Sequence, residues 1–80
     1  MRSKEAIQYR ILELCDQYKL SVNALARVSG ITQSTLNNIM VGRNNSTTVS
    51  TILKLCDGLE IDLPEFFDSD LFRNLEQEVR

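Results

Sequence analysis

The sequence predicts an all-α protein with five helices and a short C-terminal helix. Apolar residues recur at three- and four-residue steps along the chain, the spacing of one face of an α-helix. Ser, Thr or Asp precedes most of these segments, where its side chain can accept a backbone N–H at a helix start. Gly30 and Gly42 follow two of the segments, and glycine readily adopts the left-handed conformation of a helix end.

The first helix is expected from about Lys4 to Tyr18, with Ser3 as its cap. Its buried face is predicted to consist of Ile7, Ile11, Leu14, Cys15 and Tyr18. Tyr9 and Leu12 lie off that face. We expect them to be partly exposed or to cover a neighbouring helix, with a subunit contact as the alternative.

Two short helices are predicted between Leu20 and Gly42, joined by Ser29-Gly30-Ile31. Ser21 is expected to cap the first and Thr32 the second, which covers about residues 33–41. On the second helix the apolar stripe is Leu36, Ile39 and Met40, and the residues outside it are Gln33, Ser34, Asn37 and Asn38. Two short helices, a glycine-containing turn and an uncharged, amide-rich outer face are typical of a helix-turn-helix motif.

The fourth and fifth helices follow a polar loop. Thr48 precedes the fourth helix, whose predicted stripe is Val49, Ile52, Leu53, Cys56 and Leu59. Gly58 is expected to weaken its last turn. Asp62-Leu63-Pro64-Glu65 has the pattern of a capping box and predicts the start of the fifth helix, in which Phe66, Phe67 or both plug the core.

The predicted core combines these stripes: Ile7, Ile11, Leu14, Leu25, Ala26, Val28, Ile31, Leu36, Ile39, Ile52, Leu53, Cys56, Leu59, Ile61, Leu63 and Phe67. Beyond it, Asp70 is expected to cap a last helix with the stripe Leu71, Phe72, Leu75 and Val79. This helix is too short to be stable alone, so it folds back on the domain, frays, or pairs with a second subunit. We expect residues 1–68 to form the domain and residues 69–80 to be a tail of it, not a separate domain.

Composition excludes several functional classes. No apolar run approaches the ~20 residues needed to cross a membrane, and the charged N-terminus lacks the pattern of a signal peptide, so a cytoplasmic location is expected. Cys15 and Cys56 fall on apolar stripes and are interpreted as reduced core residues. With no His and no Cys-x-x-Cys spacing, no metal site or cofactor is expected. An enzyme is not expected either, since the chain lacks a glycine-rich phosphate loop and an evident carboxylate pair.

Net charge argues against a nucleic-acid partner, but the distribution of charge argues for one. The chain carries −2 at pH 7 and has a pI near 5.0, without the overall basic character of many DNA-binding domains. Residues 17–56, however, contain Lys19, Arg27, Arg43 and Lys54 and no acidic residue, whereas residues 57–80 contain eight acids against two arginines. A phosphate surface is therefore feasible around the helix-turn-helix, provided that the acidic C-terminal third faces away from DNA.

The chain also resembles a known family. The residues that carry the resemblance are Leu25-Ala26, Ser29-Gly30-Ile31-Thr32-Gln33-Ser34-Thr35-Leu36, Gly42-Arg43 and the segment from Thr51 to Phe67. They look like the signature of the Cro/phage-repressor class of helix-turn-helix regulators (XRE-like), over roughly residues 5 to 67. Two departures are Thr47, where the family often has Pro, and Glu60, where it often has a helix-ending Gly. The resemblance implies a compact five-helix, lambda-repressor-like DNA-binding domain.

The resemblance also implies the roles of individual residues. The expected base readers are Gln33, Ser34 and Asn37, with Thr35 and Asn38 shared between bases and backbone. The expected DNA-backbone contacts are Ser21, Asn23, Thr32, Arg43, Asn44 and Asn45. Arg27 and Lys54 are interpreted either as solvated surface residues or as phosphate contacts.

These expectations describe a sequence-specific regulator of transcription, more specifically a repressor, whose second motif helix enters the major groove. A homodimer on a pseudo-palindromic double-stranded operator is expected, because one short helix covers only four or five base pairs. The alternative is a small helical protein-interaction module, antitoxin-like or an adaptor, that does not bind DNA and uses the acidic C-terminal third as its surface.

Overall fold

The all-α architecture is confirmed in a computed structural model, which describes residues 2–42, 47–73 and 75. Five α-helices occur in these ranges: Ser3–Gln17 (α1), Val22–Ser29 (α2), Gln33–Met40 (α3), Val49–Leu59 (α4) and Leu63–Phe66 (α5). A single 3-10 turn follows at Asp70–Phe72. No helix within the described ranges has the length and apolar character needed to cross a membrane.

Side-chain caps fix the starts of four helices, as predicted. The pairs of capping oxygen and backbone N–H are Ser21–Ala24 (3.0 Å), Thr32–Thr35 (3.1 Å), Thr48–Thr51 (3.2 Å) and Asp62–Glu65 (2.9 Å). The prediction for α1 was wrong, since Ser3 is already inside the helix and Arg2 occupies the cap position. There the Glu5 carboxylate accepts the Arg2 backbone N–H at 3.3 Å, so an acid in the first turn replaces the hydroxyl cap.

The helix ends depend on left-handed backbone conformations. Gly30 (φ +69°) ends α2, and Gly42 (φ +77°) lies two residues beyond the end of α3. Lys19 and Glu60 adopt the same conformation, at φ +58° and +59°, although their side chains disfavour it. Helix α4 therefore ends at a strained Glu60, where a glycine would be relaxed.

The core lies where α2 packs against α4, with α1 and α5 closing it. Predicted residues that are buried are Ile7, Ile11, Leu14, Cys15, Leu25, Ala26, Leu36, Ile39, Ile52, Cys56 and Leu59. Ile31, Met40, Ile61 and Leu63 are half-buried against them. Most of the predicted core is confirmed.

Three predicted core residues are largely exposed: Val28 (50%), Leu53 (44%) and Phe67 (40%). Ala6, Leu55 and Phe66, which are absent from the predicted core list, are fully buried. Leu55 and Phe66 lie within two positions of the exposed Leu53 and Phe67. The stripe of α4 is rotated, so Val49 at its start also faces solvent. Tyr18 was wrongly assigned to the buried face of the first helix: it lies beyond the end of α1 and is exposed.

The C-terminal part of the domain folds back on α1 and α5. Ser69, not Asp70, caps the 3-10 turn, and its hydroxyl donates to the Glu13 carboxylate at 3.1 Å. Phe72 packs against Phe67, with ring centroids 4.9 Å apart. Within the described residues, the predicted last helix is a short 3-10 turn over Asp70–Phe72, and Val79 lies outside those residues.

Candidate nucleic-acid interface

Helix α3 presents the predicted base readers to solvent. Gln33, Ser34, Thr35 and Asn37 are exposed, and Asn38 is half-buried. Leu36 and Ile39, on the opposite side, are buried in the core. Because the apolar side of α3 is held by packing, the amide side has a fixed orientation, and its side chains remain free to bind a partner.

The hydroxyl groups of Thr32 and Thr35, at the start of α3, already make hydrogen bonds within the protein. The Thr32 hydroxyl accepts the Thr35 backbone N–H and donates to Thr35 Oγ1 at 2.8 Å. The proton of the Thr35 hydroxyl is left for an external acceptor, whereas Thr32 has none to give. At the start of α2, Ser21 Oγ accepts the Ala24 N–H, and its own proton is available beside the exposed Asn23.

The turn between α2 and α3 is held by backbone hydrogen bonds. The Gly30 N–H donates to the Arg27 carbonyl at 3.3 Å, and the Ile31 N–H donates to the Ala26 carbonyl at 3.0 Å. These bonds satisfy carbonyls at the end of α2 and aim the chain into α3. These two hydrogen bonds therefore fix the direction in which α3 leaves the turn.

Helix α1 holds the other end of α3 through a contact that the sequence did not predict. Gln8 Nε2 donates to the Ile39 carbonyl at 3.0 Å. Gln8 lies outside the apolar stripe of α1, so hydrophobic periodicity carries no signal for this role. A long-range bond from a polar side chain to a backbone carbonyl has no local sequence pattern.

A buried arginine was also missed. Arg10 Nε donates to the Phe66 carbonyl at 2.6 Å, and a terminal nitrogen donates to the Glu65 carbonyl at 2.9 Å. Another terminal nitrogen pairs with Glu13 at 3.1 Å. Arg10 is thus used to hold α5 on α1 and contributes no exposed charge to a nucleic-acid surface.

The other described cations fall into two groups, one in the acid-free part of the chain and one in the acidic C-terminal segment. Lys19, Arg27 and Lys54 are exposed, in the acid-free part of the chain. Arg73, by contrast, pairs with Asp68 (3.3 Å) and with Asp70. Arg73 is therefore paired within the acidic segment. Within the described residues Lys19, Arg27 and Lys54 have no carboxylate partner, although Asp16 and Asp57 lie three positions from Lys19 and Lys54 in sequence.

Three residues predicted to contact the DNA backbone, Arg43, Asn44 and Asn45, lie outside the described residues.

Both cysteines are free and buried, and burial raises the pKa of each thiol. For Cys56 the nearby carboxylates of Asp57 and Asp62 raise the pKa further. Among the residues that the structure describes, no three His, Cys, Asp or Glu side chains are grouped to hold a metal ion.

Comparison with known proteins gives one family and one structural relative. Residues 10–70 match the model of the Cro/C1-type HTH DNA-binding domain. The fold is similar to the crystal structure of the prophage Lp1 protein 11, with a TM-score of 0.81 and 33% sequence identity. That match covers 94% of this chain and 100% of the prophage protein. No curated protein is significantly similar in sequence.

Proposed function

The chain belongs to the Cro/C1-type helix-turn-helix family of DNA-binding domains, and we propose that it binds a specific double-stranded DNA sequence and represses transcription there. DNA binding and regulation of transcription are the activities of this family. The observation that carries the more specific proposal is the exposed amide side of α3, whose opposite side is fixed in the core. Solvated helix faces normally carry Glu and Lys, and this one carries neither.

Base recognition is assigned to the N-terminal part of α3. The Gln33 amide can donate to N7 and accept from N6 of adenine, a paired contact worth about 1–3 kcal/mol of discrimination. Asn37 lies one turn later on the same side and offers the same chemistry over a shorter reach. Ser34 contacts a base, and Thr35 and Asn38 are shared between bases and backbone. The free proton of Thr35 suits an acceptor such as a phosphate oxygen or a guanine N7.

Phosphate contacts are assigned to the helix starts and to the segment that follows α3 in sequence. Ser21 and Asn23 lie at the N-terminus of α2, where backbone N–H groups and the helix dipole favour an anion. Because the Thr32 hydroxyl is engaged with Thr35, its contribution is through the backbone at the start of α3. The segment Arg43-Asn44-Asn45 follows the reading helix and provides further backbone contacts.

We also propose a homodimer on a pseudo-palindromic operator. Helix α3 has eight residues and is therefore about 12 Å long, which covers about four base pairs. Two copies related by a two-fold axis would read half-sites about 34–36 Å apart. Sedimentation that shows only monomer, both free and on operator DNA, would contradict this part of the proposal. In the same scheme residues 1–68 are the DNA-binding domain and residues 69–80 its tail.

The test begins with selection of bound duplexes from a random pool, which identifies the preferred sequence. Gln33→Ala and Asn37→Ala are then compared with Gln17→Ala, a matched control at an exposed glutamine on α1. We expect the α3 variants to lose about 5- to 150-fold of discrimination at one base pair, from the magnitude of a paired contact. Gln17→Ala should retain the full preference.

Repression is tested with a reporter gene that carries the selected sequence over its promoter. Expression should fall when the chain is present and recover with Gln33→Ala. If the chain retains no duplex at any salt concentration, or if the α3 variants bind the selected duplexes as the wild type does, the protein-interaction alternative replaces this proposal.

A further inference from the structure

We infer that Lys4, on α1 and outside the helix-turn-helix, binds a DNA phosphate beside the end of the reading helix. This inference rests on the proposed function and adds a residue that the motif does not contain. Lys4 lies in the first turn of α1. Its side chain reaches Gly42: a Cβ built on that glycine would be 3.3 Å from Lys4 Cε and 3.6 Å from Lys4 Nζ.

Two features hold Lys4 at this place. Gln8, one turn later on the same side of α1, bonds to the Ile39 carbonyl and fixes α1 against the end of α3. Gly42 has no side chain, and its left-handed conformation (φ +77°) disfavours any other residue. The aliphatic part of the Lys4 side chain therefore packs beside Gly42, where a Cβ at residue 42 would crowd it. Its ammonium group lies next to the end of α3.

The ammonium group is available for an external anion. Within residues 2–42, 47–73 and 75, the structure gives it no carboxylate partner, in contrast to Arg10 and Arg73, which are paired. Lys4 is half-buried, so its stem is ordered by packing. An unpaired, positioned cation loses less conformational freedom on binding a phosphate than a fully mobile one does.

The dimensions of α3 place this ammonium near the DNA backbone. The helix is about 12 Å long, and the major groove of B-DNA is about 12 Å wide. When Gln33, at the start of α3, meets the bases, the other end of the helix lies at the edge of the groove, where the phosphates are. Lys4 adds its charge at that end, beside Gly42.

If Lys4 only stabilised the fold, replacing it would have a different effect from the loss of a phosphate contact. A cation at the C-terminus of a helix also stabilises the helix dipole, by about 0.3–1 kcal/mol at an exposed site. That role would change the free energy of unfolding and would leave the salt dependence of DNA binding unchanged. The two roles are therefore separated by the salt slope.

The experiment measures the Kd of the full chain for its selected duplex between 50 and 200 mM NaCl. The variants are Lys4→Gln, Lys4→Arg and Arg73→Gln, and circular dichroism confirms that each is folded. Arg73→Gln is the matched control, because it removes the same net charge from the acidic side of the molecule.

We expect Lys4→Gln to reduce the slope of log K against log salt by about 0.9, the value for one phosphate contact. Over this fourfold range its affinity should then fall about 3.5-fold less than that of the wild type. Preference among sequences should not change, and Lys4→Arg should keep the wild-type slope. An unchanged slope for Lys4→Gln, or an equal reduction in Arg73→Gln, overturns the inference. Absence of wild-type binding at every salt concentration is a separate result, which overturns the proposed function and this inference with it.

Discussion

Gly58 of α4 lies against Ser29 of α2. This contact predicts that Gly58→Ala destabilises the protein, whereas helix propensity predicts that it stabilises the protein. A Cβ added to Gly58 would lie 2.5 Å from Ser29 Oγ, 2.9 Å from its Cα and 3.0 Å from its backbone nitrogen. Propensity alone predicts that Gly58→Ala stabilises α4 by about 1 kcal/mol. We expect a loss of stability, because α4 crosses the backbone of α2 at this glycine.

The magnitude follows from which of the contacts can relax. Ser29 Oγ is buried and has no hydrogen-bond partner among the residues that the structure describes, so its hydroxyl can rotate away from a new methyl group. The backbone atoms of Ser29 cannot rotate away, and the two helices must separate. Overpacking of this kind costs about 1–3 kcal/mol. After the gain of about 1 kcal/mol in propensity, the net loss in Gly58→Ala is about 0–2 kcal/mol.

Urea denaturation followed by circular dichroism measures this difference. Ser50→Ala is the control, since it raises helix propensity at an exposed position of the same helix and should raise the midpoint slightly. Combining Ser29→Ala with Gly58→Ala should recover only part of the loss, because the backbone contacts remain. A Gly58→Ala variant more stable than the wild type would refute the reasoning.

Three further predictions concern local features. Glu60 adopts a left-handed conformation that costs about 1–2 kcal/mol, and Glu60→Gly relieves this strain. Although glycine makes the unfolded chain more flexible, the variant should have a higher urea midpoint of unfolding. A lower midpoint would count against strain at this site. Arg10→Met leaves the Phe66 carbonyl without its donor and should lower the free energy of unfolding by about 1–3 kcal/mol in the same assay, whereas an unchanged value would show that solvent replaces the bond. Burial raises the pKa of the Cys15 and Cys56 thiols, so the stability that the neutral thiols provide is complete below the unfolded pKa of about 8.5 and is lost as the pH rises through the folded values. Unfolding midpoints measured from pH 7 to 10 should therefore fall at the alkaline end, and replacing both cysteines by Ala should reduce that fall.

The sequence determined the features that depend on neighbouring residues. A capping hydroxyl and the N–H that it binds are three positions apart, so Ser21, Thr32 and Thr48 could be identified directly. Gly30 could be identified as the turn residue because the left-handed conformation that ends α2 involves that one position and favours glycine. The exposed amides of α3 followed from the apolar stripe on its other side, and the family pattern gave the same assignment.

Tertiary packing alone decided between patterns that the sequence left equivalent. Helix α4 offers two overlapping stripes with helical spacing, and only the approach of α2 selects the one that buries Leu55 and exposes Leu53. The same choice between adjacent residues buries Phe66 and leaves Phe67 partly exposed.

The contacts of Gln8 with α3 and of Arg10 with α5 join residues 31 and 56 positions apart. Local periodicity fixes the face of a helix only to within about one residue, and it contains no information about a distant backbone carbonyl. The sequence thus determined the five α-helices and which face of α3 stays polar, but not the 3-10 turn at Asp70–Phe72. Packing determined how each helix is rotated and which polar side chains hold the reading helix in place, because those outcomes depend on atoms that meet only after the chain has folded.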